Sequence, residues 1–274
     1  AEAAEVLTAG GTVSIDRGGG ETVLSMAKLN RVLEHEPGDL TAIVEAGLRL
    51  SELQAALGAH GQMLALDPPG DPTIGACLAA DLSGPRRHRY GAMRDLVIGM
   101  TIVLADGTIA SSGGKVVKNV AGYDLGKLFS GSRGRLGLIA RVALRLHGRP
   151  AAEATVVAET GEPRELWHAL HRSQLEPSAV DVLPGRIALL YEGGRAAVEA
   201  QVAASPGTRS DGSIWEESAR RQADAGTRAR FDWQECLLAR PGPGIAYVAG
   251  TAELAWSPLA ERIRASFDPE GILA

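Results

Sequence analysis

The stretch Gly113-Gly114-Lys115-Val116-Val117-Lys118-Asn119-Val120-Ala121-Gly122-Tyr123-Asp124-Leu125-Gly126-Lys127-Leu128 runs on through Phe129-Ser130 into Gly131-Ser132-Arg133-Gly134-Arg135-Leu136-Gly137-Leu138-Ile139. Eight glycines fall between Gly107 and Gly137, where average usage of about 7% would place roughly two. Glycine concentrates where backbone takes a positive φ or lies directly against a ligand. Lys115, Lys118, Lys127, Arg133 and Arg135 alternate with these glycines. Bare amides beside cationic side chains suit a large anionic ligand such as a dinucleotide pyrophosphate. The same composition also describes a Gly-rich surface loop followed by a buried strand.

Two segments upstream decide between these readings. Leu66-Asp67-Pro68-Pro69-Gly70-Asp71-Pro72-Thr73-Ile74-Gly75-Ala76 is a stiff Pro-rich loop running into a small-residue helix start, and Ser83-Gly84-Pro85-Arg86-Arg87-His88-Arg89-Tyr90-Gly91 follows it. Next comes the strand-like run Leu96 to Leu104, which turns at Ala105-Asp106-Gly107-Thr108, an Asp-Gly hairpin signal. In this order the segments resemble the FAD-binding (p-cresol methylhydroxylase-type) domain of the vanillyl-alcohol oxidase and p-cresol methylhydroxylase superfamily. Within it they are most similar to the FAD-binding E subunits of bacterial glycolate oxidases. The likeness is dense from about Leu24 to Leu146 and returns in Ser266-Phe267-Asp268-Pro269-Glu270-Gly271-Ile272-Leu273.

The resemblance implies an α+β protein. Residues 1–149 would form the FAD-binding domain, of two α/β subdomains with a shortened N-terminal part. Residues 150–274 would form a small ferredoxin-like domain, an open-faced α/β sandwich. The implied cofactor is FAD, held without a covalent link, since the first loop has no His and the Arg86 loop no Cys to attach it. The implied function is that of an FAD-binding subunit of a 2-hydroxy acid dehydrogenase complex, passing hydride from the substrate α-carbon to flavin. Its partners would be a larger flavoprotein subunit and an iron–sulfur subunit. A non-catalytic assembly subunit that keeps the flavin fold is the alternative, and an independent flavin oxidase a third.

The implied cofactor contacts fall in five places. Gly18, Gly19 and Gly20, after Arg17, stand where the family has a pyrophosphate-binding turn, though here Glu21 leads straight into the next strand and the rest of that loop is missing. Pro69, Thr73, Ile74 and Gly75 match the second contact loop, where the Thr73 hydroxyl and the Gly75 N–H at a helix start could meet phosphate; Thr73 also reads as an ordinary N-cap. Ser83, Gly84, Arg89, Tyr90 and Gly91 correspond to positions beside the isoalloxazine, where Arg89 could hold a substrate carboxylate. Lys118, Asn119, Gly122, Tyr123 and Asp124 lie where the family loop passes the flavin ring. Lys115 or Lys118 could there stabilise the reduced anionic flavin. Gly131, Ser132, Gly134, Gly137 and Ile139 resemble the adenosine-side turn and strand.

Composition bounds the rest. At 274 residues, 45% hydrophobic and 22% charged, the chain suits one large or two modest soluble domains. No apolar run approaches the ~20 residues of a membrane helix. Residues 1–9 lack the features of a secretory signal, so a cytoplasmic protein is expected, either free or attached to the inner membrane through partners. Cys77 and Cys236 are the only cysteines, too few for a disulfide framework or an iron–sulfur site. Residues 84–149 carry 12 Lys/Arg against 3 Asp/Glu while the remainder carries 16 against 30, so a net charge of −5 hides a cationic middle. That middle could hold phosphates or draw an anionic substrate, with Arg86 to Arg94 as the candidate surface. Aromatics at 4% and no helix-turn-helix or zinc pattern argue against nucleic acid.

No acid/base constellation is visible. Of His35, His60, His88, His147, His168 and His171, only the last two are close in sequence, at i, i+3. A pair of imidazoles falls short of a metal site. Nothing resembles a Gly-x-Ser-x-Gly elbow or a Walker lysine motif.

Element by element, Glu2 to Ala9 reads as a helix end, Thr12 to Ile15, Thr22 to Ser25 and Thr41 to Ala46 as strands, and Leu50 to His60 as a helix stopped by Gly61. Arg149-Pro150 reads as a domain boundary. Beyond it come strand (Ala154 to Ala158), helix (Pro163 to Ser173), strands (Ala179 to Leu183, Arg186 to Tyr191) and helix (Arg195 to Ala204). Gly207 to Gly226 is polar and poorly patterned; Ala246 to Ala249 and Pro258 to Phe267 offer a last strand and helix. This series predicts a sheet with helices on one side.

Overall fold

The computed structural model describes residues 13–15, 22–114, 124–231, 233, 236–249 and 257–273. Two short parallel strands come first, β1 (Val13–Ile15) and β2 (Thr22–Leu24). The first large sheet is five-stranded, antiparallel throughout, and ordered β3-β4-β8-β6-β7. Its strands are β3 (Val32–Glu36), β4 (Thr41–Glu45), β6 (Val97–Val103), β7 (Ile109–Gly113) and β8 (Leu138–Arg145). A small pair, β5 (Gln62–Met63) with β9 (His147–Gly148), lies outside it.

Helix α1 (Leu50–Gly58) buries Leu50, Leu53 and Leu57, the i, i+3, i+7 stripe its sequence carries. Gly61 at φ +66 takes the chain out of the turn that follows. Four short helices follow, α2 (Ile74–Ala79), α3 (Arg87–Tyr90), α4 (Met93–Leu96) and α5 (Leu125–Phe129), of which α2, α4 and α5 pack against strands of this sheet. Between β6 and β7 the Asp-Gly turn forms as its residues dictate: Gly107 has φ +80, and Thr108 N–H donates to Asp106 Oδ1 at 2.8 Å. Leu53, Ile74, Met93, Phe129 and Val142 are fully buried in this core.

The second sheet has seven antiparallel strands ordered β13-β10-β12-β11-β15-β16-β14. Four of them, β10 (Ala152–Glu159), β11 (Ala179–Leu183), β12 (Arg186–Gly193) and β13 (Thr208–Ser210), join α6 (Pro163–His171) and α7 (Arg195–Ala204) in a split βαβ arrangement. The strands β14 (Thr227–Arg230), β15 (Leu238–Arg240) and β16 (Ile245–Val248) extend it beyond β11.

Three features differ from expectation. The sheet is larger than the sequence pattern predicts. It is also covered on both faces: Val156, Leu189 and Tyr191 pack with Leu170 and Val198 of α6 and α7, whereas Ala188, Leu238 and Tyr247 pack with Ile214 of an unexpected helix, α8 (Ile214–Asp224). Helix α8 shows no clean apolar period because part of its inward face is polar, with Ser218 fully buried. The third difference is the last helix, α9 (Pro258–Phe267), expected within the C-terminal domain. Ile263, Phe267, Ile272 and Leu273 pack in the first core instead, with Phe267 edge-on to Phe129 at 5.9 Å.

Candidate functional site

The glycine-dense turn after α5 is held by the end of α2. Gly131 N–H donates to Leu78 O at 3.0 Å and Arg133 N–H to Ala79 O at 2.8 Å. Gly131, Arg133, Gly134 and Gly137 all have positive φ, and a Cβ on Gly137 would lie 2.8 Å from Val103 O. Ser132 is buried in this turn, yet its Oγ has no hydrogen-bond partner among the described residues. An unsatisfied buried hydroxyl costs about 1–3 kcal/mol, and it marks a place where a ligand atom can supply the missing bond. Ile139, at the start of β8, is buried close by in the chain.

The Pro-rich loop is a platform for the segment that follows it. Both carboxylate oxygens of Asp67 accept from Arg86 N–H at 3.2 Å, and a Cβ on Gly84 would overlap the Asp67 carbonyl. Burial lifts the Asp67 carboxyl to about 6, against the pull of Arg86 and Arg240. At the start of α2, Thr73 Oγ1 accepts from Ala76 N–H at 3.2 Å, which leaves its hydroxyl proton to donate outward. The Gly75 N–H donates to Ala46 O at 2.7 Å and the Ile74 N–H to Leu48 O at 2.9 Å. The expectation of a Gly75 phosphate donor is therefore corrected. Glycine stands there because a Cβ would lie 2.9 Å from the Ala46 Cβ as α2 packs onto the first sheet. Pro69 is half-buried in the same loop.

The segment Ser83–Gly91 faces the second sheet. Arg86 Nε and Nη2 donate to Glu192 Oε1 at 3.0 and 2.8 Å, and Tyr90 Oη donates to Glu192 Oε2 at 3.4 Å. Burial works against the Arg86 charge, but Glu192, Asp67 and Glu153 outweigh it and raise its pKa. Arg89 Nη1 donates to Ser178 Oγ and the Glu192 carbonyl, both at 3.3 Å. Gly91, at φ +86, lets the chain leave α3. Ser83 is buried, and its carbonyl accepts from Gln222 Nε2 at 2.8 Å and Arg240 Nη1 at 3.4 Å. Arg240 in turn donates to Asp181 Oδ1 at 2.9 Å and to Tyr247 Oη at 2.9 Å, while Ser218 Oγ donates to Asp181. Burial opposes the Arg240 charge, and Asp181, Tyr247 and Asp67 more than offset it.

The basic cluster expected to draw an anion is thus largely neutralised by carboxylates: Arg86 by Glu192, Arg87 by Asp81 and Arg94 by Asp95. Glu192, Asp181, Gln222 and Arg240 were invisible to motif reasoning. A charged residue ending the apolar strand run Ile187 to Tyr191 is the one signal that could have found Glu192. Cys77 is buried and its thiol is pushed up to about 12 by burial, a packing residue. His171 lies tilted beside Trp167, and His168 beside Trp233, and among the described residues no group of three metal-ligating side chains occurs. Gly18, Gly19, Gly20, Lys115, Lys118, Asn119, Gly122 and Tyr123 lie outside the described residues. Asp124 caps α5, accepting from Lys127 N–H at 3.1 Å.

The glycine turn with its unpartnered buried hydroxyl is thus docked on the end of α2 beside the five-stranded antiparallel sheet. Residues 2–113 match the protein-family model described as FAD binding domain. The chain is 32% identical over 197 residues to glycolate oxidase subunit GlcE of Escherichia coli, a match covering 70% of this chain and 56% of that one. It is 40% identical over 129 residues to the mitochondrial D-lactate dehydrogenase (cytochrome) 1 of Saccharomyces cerevisiae, covering 47% of this chain and 22% of that one. Glycolate oxidase subunit GlcD of Bacillus subtilis is 37% identical over 151 residues, with 54% and 32% covered. The chain thus spans between 22% and 56% of the length of these relatives. In fold it is similar to a solved alkyldihydroxyacetonephosphate synthase, with a TM-score of 0.59 at 18% identity over 74% of this chain and 48% of that one. No described helix is long and apolar enough to cross a membrane.

Proposed function

We propose that this chain is the FAD-binding part of an oxidoreductase acting on 2-hydroxy acids, working beside a larger flavoprotein subunit and an iron–sulfur subunit. The observation that carries the reading is the buried Ser132 hydroxyl, unpartnered among the described residues, in a turn built of positive-φ residues on a chain matching an FAD-binding family. Similarity to glycolate oxidase subunits and to a D-lactate dehydrogenase supports the substrate class. Bound FAD supplies a two-electron acceptor for hydride from a carbon bearing hydroxyl. Ser132 and the backbone of Gly131 to Gly137 would hold its adenosine side, and the Thr73 hydroxyl would donate to phosphate. Ser83 to Gly91 would border the reactive end, with Arg86 and Tyr90 fixed on Glu192. The same reading puts residues 1–149 in a cofactor domain, with 150–274 as a second domain whose last helix returns to the first. It is a cytoplasmic assembly, attached to a membrane only through partners.

A second reading, a non-catalytic assembly subunit, draws support from the neutralised Arg86 and Arg87 and the spent Gly75 N–H. The visible spectrum of the purified chain separates the two. The flavoprotein reading expects flavin bands at near one FAD per chain, released into the supernatant by acid precipitation. A colourless chain that cannot be reconstituted overturns it, and a yellow acid-washed pellet overturns non-covalent attachment. Turnover of glycolate or D-lactate with an artificial acceptor should appear on co-expression with the partners and be slight in the isolated chain.

A further inference from the structure

We propose that the seven-stranded sheet is the brace of the segment Ser83–Tyr90, with Glu192 and Arg240 as positioning residues through which that sheet sets FAD affinity. This rests on the flavoprotein reading above. The segment has little structure of its own: its helix α3 is four residues long, and Gly91 ends it. From residues 1–149 it meets the Asp67 loop, Asp81 and, edge-on to Tyr90, the His147 ring.

The second sheet grips the segment near both ends. At the first, the Ser83 carbonyl receives Arg240 of β15 and also Gln222 of α8, the helix that packs on this sheet. At the other, one carboxylate, Glu192, receives Arg86 and Tyr90 together, while its own carbonyl receives Arg89. The side chain of Glu192 is 0% exposed and that of Arg240 is 1% exposed. Charges so deeply buried contribute less stability than apolar residues of the same volume would, because their desolvation offsets the attraction. What they supply is direction. Charge-assisted hydrogen bonds, here two Arg86 N–H groups on Glu192 Oε1 and Arg240 Nη1 on the Ser83 carbonyl, define distance and angle where apolar contact allows sliding. Two such anchors about a half-dozen residues apart fix both the position and the rotation of the segment.

The test uses the full chain with Glu192→Gln and Arg240→Lys, each close in shape to the native residue. FAD affinity is read from flavin fluorescence on titration, and the environment of the bound ring from visible circular dichroism. Both variants should bind FAD about tenfold more weakly, with an altered visible dichroism and an unchanged far-ultraviolet spectrum. Arg86→Gln combined with Glu192→Gln should weaken binding by less than the sum of the two separate losses, since the Arg86–Glu192 pair is lost in both. Gln222→Ala, at a half-buried position, provides a variant that folds even where the other two do not, and should weaken binding about threefold. Glu217→Gln breaks the Arg186 pair elsewhere on α8 and should leave affinity unchanged. Wild-type affinity in the Glu192, Arg240 and Gln222 variants overturns the brace alone. Absence of FAD binding by the wild-type chain overturns the flavoprotein reading itself.

Discussion

Replacing Arg240 by Met tests the buried network directly. Its guanidinium is the counter-charge of Asp181, a residue with 0% exposure, and also reaches Tyr247 and Ser218. Methionine fills much of the volume but leaves the Asp181 carboxylate with the Ser218 hydroxyl as its remaining described partner. Breaking a buried pair from one side costs about 3–5 kcal/mol. At roughly 2–4 °C per kcal/mol for a chain of this size, the unfolding temperature should fall by about 10 °C. Scanning calorimetry measures this, with urea titration as the independent check. The companion Asp181→Leu/Arg240→Met removes both charges and should recover at least half of the loss, because an apolar pair in the same space carries no stranded charge. A single variant within about 1 kcal/mol of wild type, or a double variant no better than the single, would refute the reasoning.

Asp67→Asn should reveal the pH dependence of the loop. A carboxyl raised from 3.8 to about 6 in the folded chain destabilises it progressively as pH climbs through that window, and not below it. The stability gained by the Asn variant over wild type should therefore grow between pH 4 and 6, reaching on the order of 2 kcal/mol; a gap that is flat with pH contradicts this. Ser132→Ala should raise the stability of the apoprotein by about 1 kcal/mol, since it removes an unsatisfied hydroxyl, while weakening FAD binding severalfold. Loss of both quantities would mean the hydroxyl has a partner within the protein. Gly84→Ala should cost about 1–3 kcal/mol by overpacking against the Asp67 carbonyl, and a neutral result in a chemical melt would place the two loops further apart.

Much of the fold was legible because it depends on local chemistry. The apolar stripe of α1, the Asp-Gly turn at Gly107, the Thr73 cap and the βαββαβ series after Pro150 each follow from residues within a few positions of one another. The resemblance to FAD-binding domains was legible too, since it rests on the order and spacing of short motifs whatever the chain does elsewhere, and residues 2–113 match a family model of that description. Tertiary structure alone decided which of the candidate groups are spent. Gly75 looks like a phosphate donor until Ala46 is placed against it, and Arg86 looks like an anion trap until Glu192, 106 residues later, arrives beneath it. Helix α8 hid because part of its inward face is polar and pairs with Ser83 and Asp181 rather than with an apolar core. Sequence pattern records what a residue prefers within its own turn or strand. Which charge meets which carboxylate is set by the packing of two sheets, and no local periodicity reports it.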